Sequence, residues 1–260
     1  MAQQRPATID DLGVTGVYYL AALLSAQERR LPIAPTRRLS LALMDTLRTA
    51  GVIDVPWPEL RWPVCPDAEE TPIERIQWRY AWPEYVRAGL VDALCDYLDG
   101  VTRDDYGLAL RSRYWEELSV AEAERFFEIQ LAKHQFDITW AQDFAFVHRD
   151  QRPALSIAQW RYCCWAATRH GASAAMQQRT SASGLVREAM YNELKLRAAR
   201  LGTGAWSECA FPPANGRPDS ALSRLFVNHL TTLGADFWTL LPDVDHIVFR
   251  SRPKDAAPRL

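Results

Sequence analysis

Helix-forming segments with clear start and stop signals recur along most of this chain, and they restrict it to a mainly helical fold. The stretch 37–50 shows the pattern well, because Thr36 is a good N-cap and Gly51 follows where a left-handed residue ends a helix. Its leucines recur at helical spacing and predict one buried face. A second helix is predicted from Thr15 to about Arg29. Further helices are predicted over about 83–98, 104–117, 120–135, 139–148, 157–169, 184–201 and 220–233.

Strand-like patterns are short and lie mostly in the N-terminal third. We predict strands at Val52–Val55 and Ile73–Ala81, and one late strand at His246–Arg250. The fold class is therefore mainly α with two or three short strands. The order of helix, helix, glycine, strand, loop and strand is typical of a winged-helix module, so we expect a winged-helix-like N-terminal third.

A chain of 260 residues fits one large domain or two small ones. Strand-like sequence gives way to helix-forming sequence near Trp82–Glu84, which marks the expected boundary. We predict a small α/β module over residues 1–82. A helical domain over 83–260 is expected to contain the late strand and to end in a mobile C-terminal tail from Pro253.

The cysteines and the first apolar segment bear on location. Five cysteines without a C-x-x-C spacing argue against a disulfide framework and a zinc finger, so no metal or other cofactor is expected. Val14–Ala26 is too short to span a bilayer and lacks the positive flank of a signal peptide. Arginine supplies nearly all the basic charge, which is typical of a GC-rich bacterial genome. We therefore expect a bacterial cytoplasmic protein that does not enter a membrane.

Charge is unevenly distributed along the chain. Residues 151–202 contain eight basic and two acidic side chains, for a net charge of +6. Residues 67–128 contain fifteen acids and seven arginines, for a net charge of −8. The basic segment can attract polyanions. The predicted contact residues for nucleic acid or an acidic protein are Arg161, Arg169, Arg179, Arg187, Tyr191, Lys195, Arg197 and Arg200.

A proline-rich run of tryptophans is a second candidate contact surface. Exposed tryptophans often dominate the binding energy of protein interfaces. Core packing of the same side chains is the alternative interpretation. The residues concerned are Trp57, Trp62, Trp78 and Trp82.

Enzymatic signatures are weak. Glu193 and Lys195 form the E-x-K element of some metal-dependent nucleases, but the surrounding sequence is helix-forming and not strand-forming. Cys163 and His170 are two helical turns apart, about 10 Å, which is too far for a nucleophile and its base. We therefore expect a non-enzymatic binding or regulatory protein. A nuclease-like enzyme centred on Glu193 and Lys195, and a protein that self-assembles through its opposite charges, are the alternatives.

Overall fold

The computed structural model describes residues 8–54, 78–83, 87, 89–151, 155–178, 183–204, 206 and 208–250. Over these residues the protein is mainly helical with one two-stranded sheet, which confirms the mainly α part of the predicted fold class. The α-helices are α1 (Gly13–Arg29), α2 (Arg37–Thr49), α3 (Leu90–Asp99), α4 (Asp105–Lys133), α5 (Phe144–Gln151), α6 (Ile157–Gln178), α7 (Ser183–Gly202), α8 (Ala221–Leu225), α9 (Asp236–Thr239) and α10 (Val244–Arg250). Asp10–Leu12 and Ile138–Asp143 are 3₁₀-helical, and Phe226–Leu230 is a π-helix.

The helix predicted after Thr36 forms as its signals indicate. The Leu39 N–H donates to Thr36 Oγ1 at 3.3 Å, which is an N-cap hydrogen bond. Gly51 has a φ of 71°, so the chain leaves α2 through the left-handed region. It then enters β1 (Ile53–Asp54), which pairs antiparallel with β2 (Arg79–Tyr80).

Two local predictions were wrong. The helices predicted over 104–117 and 120–135 are one 29-residue helix, α4, inside which the Ser119 hydroxyl donates to the Trp115 carbonyl at 2.7 Å. This back-bond keeps the hydroxyl satisfied within a continuous helix. The late strand at His246–Arg250 is instead part of α10. Asp243 precedes α10, and its carboxylate accepts a hydrogen bond from the Asp245 N–H at 3.1 Å, so Asp243 is the N-cap of this helix.

The described chain divides into two compact units. The first comprises Met1–Arg111, Pro218–Thr232 and Arg250–Leu260, and the second comprises Ser112–Arg217 and Leu233–Phe249. The predicted modules over 1–82 and 83–260 are segments expected to fold independently, which a division by contacts does not test, so they stay a prediction. The predicted tail from Pro253 lies outside the described residues. None of the helices in the described part of the chain has the length and apolar character that a bilayer-spanning segment needs.

In the first unit, α1 is the central element. Its residues from Gly16 to Ala26 are all buried, and it packs against α2, α3 and α8. The Tyr18 hydroxyl donates to the Leu222 carbonyl at 2.9 Å. Backbone N–H groups of Ala221 and Leu222 donate to the Pro32 and Ile33 carbonyls. These bonds hold the distant segment 218–232 against the N-terminal helices.

Arg111 ties together three parts of the first unit. Its side chain is almost fully buried, with 4% of the residue exposed. The guanidinium donates to the carbonyls of Leu230 at 2.6 Å, Thr102 at 2.9 Å and Val101 at 2.9 Å. Burial lowers the pKa of this guanidinium, and Arg103 contributes in the same direction. A buried cation is tolerated here because three backbone acceptors surround it.

In the second unit, α6 and α7 form an antiparallel hairpin. Gly171 of α6 lies against Met190 of α7, and a Cβ at position 171 would be 2.4 Å from Met190 Cγ. Glycine at this position therefore permits the close approach of the two helices. Around this contact lies the core of the unit, which includes Ala123, Phe127, Trp160, Cys163, Cys164, Met190 and Leu194.

Candidate binding surface

One side of the α6–α7 hairpin presents aromatic rings and arginines side by side. Tyr162, Trp165 and Arg169 are spaced i, i+3 and i+7 on α6 and therefore share one helix face. Two arginines of α7 and two rings from the segment after it adjoin this face. We call the set the arginine–aromatic surface; its members are Tyr162, Trp165, Arg169, Arg197, Arg200, Trp206 and Phe211.

Phe211 is the ring that joins the aromatic members on α6. Its centroid is 5.1 Å from that of Trp165 and 5.6 Å from that of Tyr162, in both cases edge to face. The Phe211 N–H donates to the Ala158 carbonyl at 2.8 Å, which attaches the segment after α7 to the first turn of α6. The ring remains 36% exposed. The aromatic cluster is therefore fixed to α6 by this backbone hydrogen bond, and part of it is exposed to solvent.

The arginines of this surface lie against its rings. The Arg169 guanidinium carbon is 4.9 Å from the centroid of Trp165, and those of Arg197 and Arg200 are each 5.0 Å from Trp206. Such cation–π contacts hold an exposed guanidinium by about 0.5–1 kcal/mol. Arg169 and Arg200 are exposed and have no carboxylate partner among the described residues. The rings therefore hold these two guanidinium groups in place, and no described carboxylate neutralises their charges.

Arg197 is the member that is bound most tightly to the protein itself. Its Nε donates to Glu193 Oε1 at 2.5 Å, and its Nη1 donates to the Tyr162 hydroxyl at 3.2 Å. Glu193 is 9% exposed. The Glu193 carboxylate is thus already used in an ion pair inside the unit.

The nuclease-like alternative has no support in this geometry. Glu193 and Lys195 are two residues apart on α7, so their side chains leave the helix about 200° apart. Within the described ranges, no group of three histidine, cysteine or acidic residues could hold a metal ion. The side chain of Asp150, the nearest preceding aspartate, lies outside the described set.

The other residues predicted from the sequence lie away from this surface or outside the described chain. Arg161 lies over Phe126, with 4.4 Å from guanidinium carbon to ring centroid, and also over Trp238. Arg187 pairs with Asp143 and lies over the Tyr191 ring, and the Tyr191 hydroxyl donates to the Trp140 carbonyl. Burial raises the pKa of Tyr191 to about 12. Arg179 is outside the described residues.

The predicted contact residues on α7 therefore lie on two different sides of the helix. Lys195 follows Arg187 and Tyr191 along one side of the helix, and it is half-buried. Arg200 is five residues after Lys195 and so about 140° away around the helix. Arg197 and Arg200 share the Trp206 ring, and Arg197 also donates to the Tyr162 hydroxyl. Arg169 is linked to them only through the ring contact between Tyr162 and Trp165.

Sequence reasoning missed the rings of this surface. The i, i+3, i+7 spacing of Tyr162, Trp165 and Arg169 was a usable signal for an exposed aromatic–basic face. Trp206 and Phe211 gave no such signal, because they follow α7 in an irregular segment. Of the predicted tryptophan surface, Trp78 is buried at 6% exposure and Trp82 is half-buried. The other two members, Trp57 and Trp62, lie outside the described residues.

Two cysteines of α6 near this surface, Cys163 and Cys164, are buried. Burial raises the pKa of Cys163 to about 12, although Arg197 opposes the shift. Burial also raises the pKa of Cys164 well above its ordinary value. A thiol that stays protonated is a poor nucleophile. Neither residue is therefore activated for covalent chemistry.

The arginine–aromatic surface offers binding chemistry. Ring faces can stack on planar ligands, and guanidinium forks can donate two parallel hydrogen bonds to phosphate or carboxylate oxygens. No protein-family model, no curated protein and no solved structure matches this chain.

Proposed function

We propose that this protein is a non-enzymatic binding protein whose arginine–aromatic surface contacts single-stranded nucleic acid. The observation that carries the proposal is Arg169 on the face of Trp165, exposed and without a carboxylate partner in the described chain. Proteins that bind single strands combine stacking rings with cations that follow the phosphates. Tyr162 and Phe211 extend the ring area beside Trp165, and Arg200 adds a second exposed cation.

The balance of rings and charges favours a single strand over a duplex. Bases in a duplex are stacked on one another, so their faces are closed to protein side chains. Three arginines form this surface, a small number for duplex binding that rests on phosphate contacts alone. Stacking on a protein ring contributes about 1–3 kcal/mol per base. The partially exposed rings can supply that energy where the cations are few.

A winged-helix-like first module is a second candidate for contact with DNA. The supporting observation is the path of the chain from α2 through Gly51 into the antiparallel pair of β1 and β2. In such a module α2 would lie in the major groove of a duplex. We place the protein in the bacterial cytoplasm on the sequence grounds given above.

Fluorescence anisotropy with labelled DNA tests the proposal. A single strand of roughly 15 nucleotides covers the usual site sizes, and a duplex of the same sequence is the comparison. With one phosphate neutralised by each of the two exposed cations, Arg169 and Arg200, the affinity for a single strand should fall about 7-fold between about 50 and 200 mM salt. Tighter binding of the duplex would favour the winged-helix candidate instead. Absence of binding to either DNA at the lower salt would refute both nucleic-acid candidates and leave an acidic protein partner to be sought.

Two substitutions locate the binding energy. Trp165→Ala should weaken single-strand binding by roughly 5- to 150-fold, the equivalent of one stacked base. Arg169→Gln should weaken it less and lower the salt slope by about 0.7. The matched controls are Phe146→Ala and Arg149→Gln, because these residues form another exposed arginine–ring pair on α5, 5.5 Å apart. Equal effects in both pairs would contradict the assignment of the surface.

Self-association is distinguished in the same samples. If the acidic and basic segments of two copies bind each other, the oligomer should dissociate as salt rises. Sedimentation velocity at both salt concentrations measures this. Oligomers that form without DNA and disappear on Arg169→Gln would favour self-assembly over nucleic-acid binding.

A further inference from the structure

A small cavity in the first unit is a separate candidate ligand site. It has a volume of about 160 Å³, is partly open to solvent and is lined by residues of α1, α3, α8 and the π-helical segment. Sites for drug-sized ligands range from about 300 to 1,000 Å³, so this cavity suits a ligand of only a few heavy atoms. Its polar lining consists of Ser25, Arg29, Asp92, Arg224, Asn228 and His229.

Ser25 contributes a hydroxyl group to the lining of the cavity. It is buried, with 6% exposed, and it lines the cavity. Its hydroxyl makes no hydrogen bond to any residue that the structure describes. The Ser25 Oγ is not one of the fully buried side-chain atoms that lack a partner, so water reaches it, and a polar group of a ligand can replace that water.

The π-helix brings two more polar side chains to the cavity. The Thr231 N–H donates to the Phe226 carbonyl at 2.9 Å, the i+5 bond that widens this turn. Short π-helical turns of this kind are rare and often occur at functional sites. Asn228 and His229 both lie in the turn and line the cavity. The Nδ1 atom of His229 is 3.3 Å from Asp99 Oδ1, which orients the ring.

The lining carries charges of both signs. Arg224 is anchored by a hydrogen bond of 2.7 Å from its Nε to the Pro218 carbonyl, which leaves its two terminal nitrogens for a ligand. Arg29 supplies a second guanidinium, and Asp92 supplies a carboxylate. Neither Arg29 nor Asp92 has an ion-pair partner among the residues described. Unpaired groups of opposite charge around one small cavity fit a ligand that carries both charges.

We propose that this cavity binds a small zwitterion, namely a free amino acid with a short side chain. Its carboxylate would be bound by Arg29 and Arg224, whose forks match carboxylate geometry. Its ammonium group would be bound by Asp92. The Ser25 hydroxyl and Asn228 amide would complete the polar contacts.

The cavity holds its ligand without covalent chemistry. Cys95 also lines it, and burial together with Asp99 raises the pKa of that thiol to about 11. The thiol is thus protonated at neutral pH and does not attack a ligand.

Thermal unfolding and calorimetric titration of the full chain test this proposal. The probes are glycine, alanine and serine, with acetate and methylamine as ligands that carry only one of the two charges. An amino acid at ten times its dissociation constant should raise Tm by a few degrees. Acetate and methylamine should bind at least tenfold more weakly. If none of the three amino acids binds, or if acetate binds as tightly as glycine, the proposal is wrong.

Substitutions in the lining make the test specific. Arg29→Gln and Asp92→Asn affect exposed side chains, and each should weaken amino-acid binding at least tenfold. Arg30→Gln and Asp96→Asn are the matched controls, because these exposed residues lie beside the lining but not in it. Equal affinity in Asp92→Asn and the unmodified protein would show that no ammonium group is bound there and would overturn the assignment.

Discussion

Replacing Arg111 with methionine should strongly destabilise the first unit. The substitution removes one buried guanidinium and leaves the carbonyls of Leu230, Thr102 and Val101 without their donor. An unsatisfied buried carbonyl costs about 1–3 kcal/mol. Two of the three bonds are only partly buried, so water can replace some of the loss. Methionine also avoids the cost of burying a charge. We therefore expect a net loss of about 2–4 kcal/mol.

Urea unfolding followed by circular dichroism measures this loss. With a denaturant slope near 3 kcal/mol/M, the midpoint should fall by roughly 1 M. Arg113→Met is the matched control, because Arg113 is exposed on the same helix and lies 5.2 Å from the Tyr114 ring. It should cost less than about 0.5 kcal/mol. The loss of stability in Arg111→Lys should fall between those of the two methionine variants, since one ammonium group cannot donate along the three directions of the guanidinium fork.

The reasoning would be refuted if the two methionine variants had the same stability. In that case the three carbonyls would be satisfied equally well by solvent, and Arg111 would not hold segment 218–232 against the start of α4. A change in the denaturant slope would indicate instead that the two units unfold separately.

Three further predictions concern packing, pH and capping. Gly171→Ala should lower the free energy of unfolding by about 1–3 kcal/mol, because the added methyl group overpacks against Met190. In the double variant, Met190→Ala should restore part of this stability. Strictly additive losses of stability in urea unfolding would contradict the close contact between the two residues. Burial lowers the pKa of His148, so its stabilising effect is complete above the unfolded-state value of about 6.5 and is lost as pH falls below it. Thermal scans across this range should show a weaker pH dependence in His148→Phe, whereas the exposed control His170→Gln should not differ from the unmodified protein. Thr36→Ala should cost about 0.5–2 kcal/mol and Thr36→Ser almost nothing, and comparable losses in both would mean that the cap is unimportant.

The sequence predicted the helices best where local signals agree with burial. Thr36 and Gly51 bound α2 as expected, because the cap and the left-handed glycine need only nearby backbone groups. The break predicted between residues 117 and 120 was wrong, because the apolar residues on both sides of Ser119 are buried and favour one continuous helix. The β-branched residues after His246 likewise formed a helix, since Asp243 caps it.

The candidate surface was predictable only in part. Arg169, Arg197 and Arg200 stand out in the sequence as members of a basic segment. Which of the segment's cations share a surface depends on contacts with Trp206 and Phe211, and those contacts are made only after the chain turns back from α7. The charge pattern of the sequence therefore indicated the right region, whereas helix geometry determines which of its basic residues belong to the surface.

Photo-crosslinking of a bromouracil-substituted single strand to the full chain, followed by peptide mapping, tests the central claim most directly. Crosslinks form where a ring stacks on a base, so adducts should map to 157–178 and 206–217, the parts that contain Tyr162, Trp165, Trp206 and Phe211. The same adducts should disappear in Trp165→Ala but not in Phe146→Ala. Adducts confined to α2 or to α5 would contradict the assignment of the arginine–aromatic surface as the nucleic-acid site.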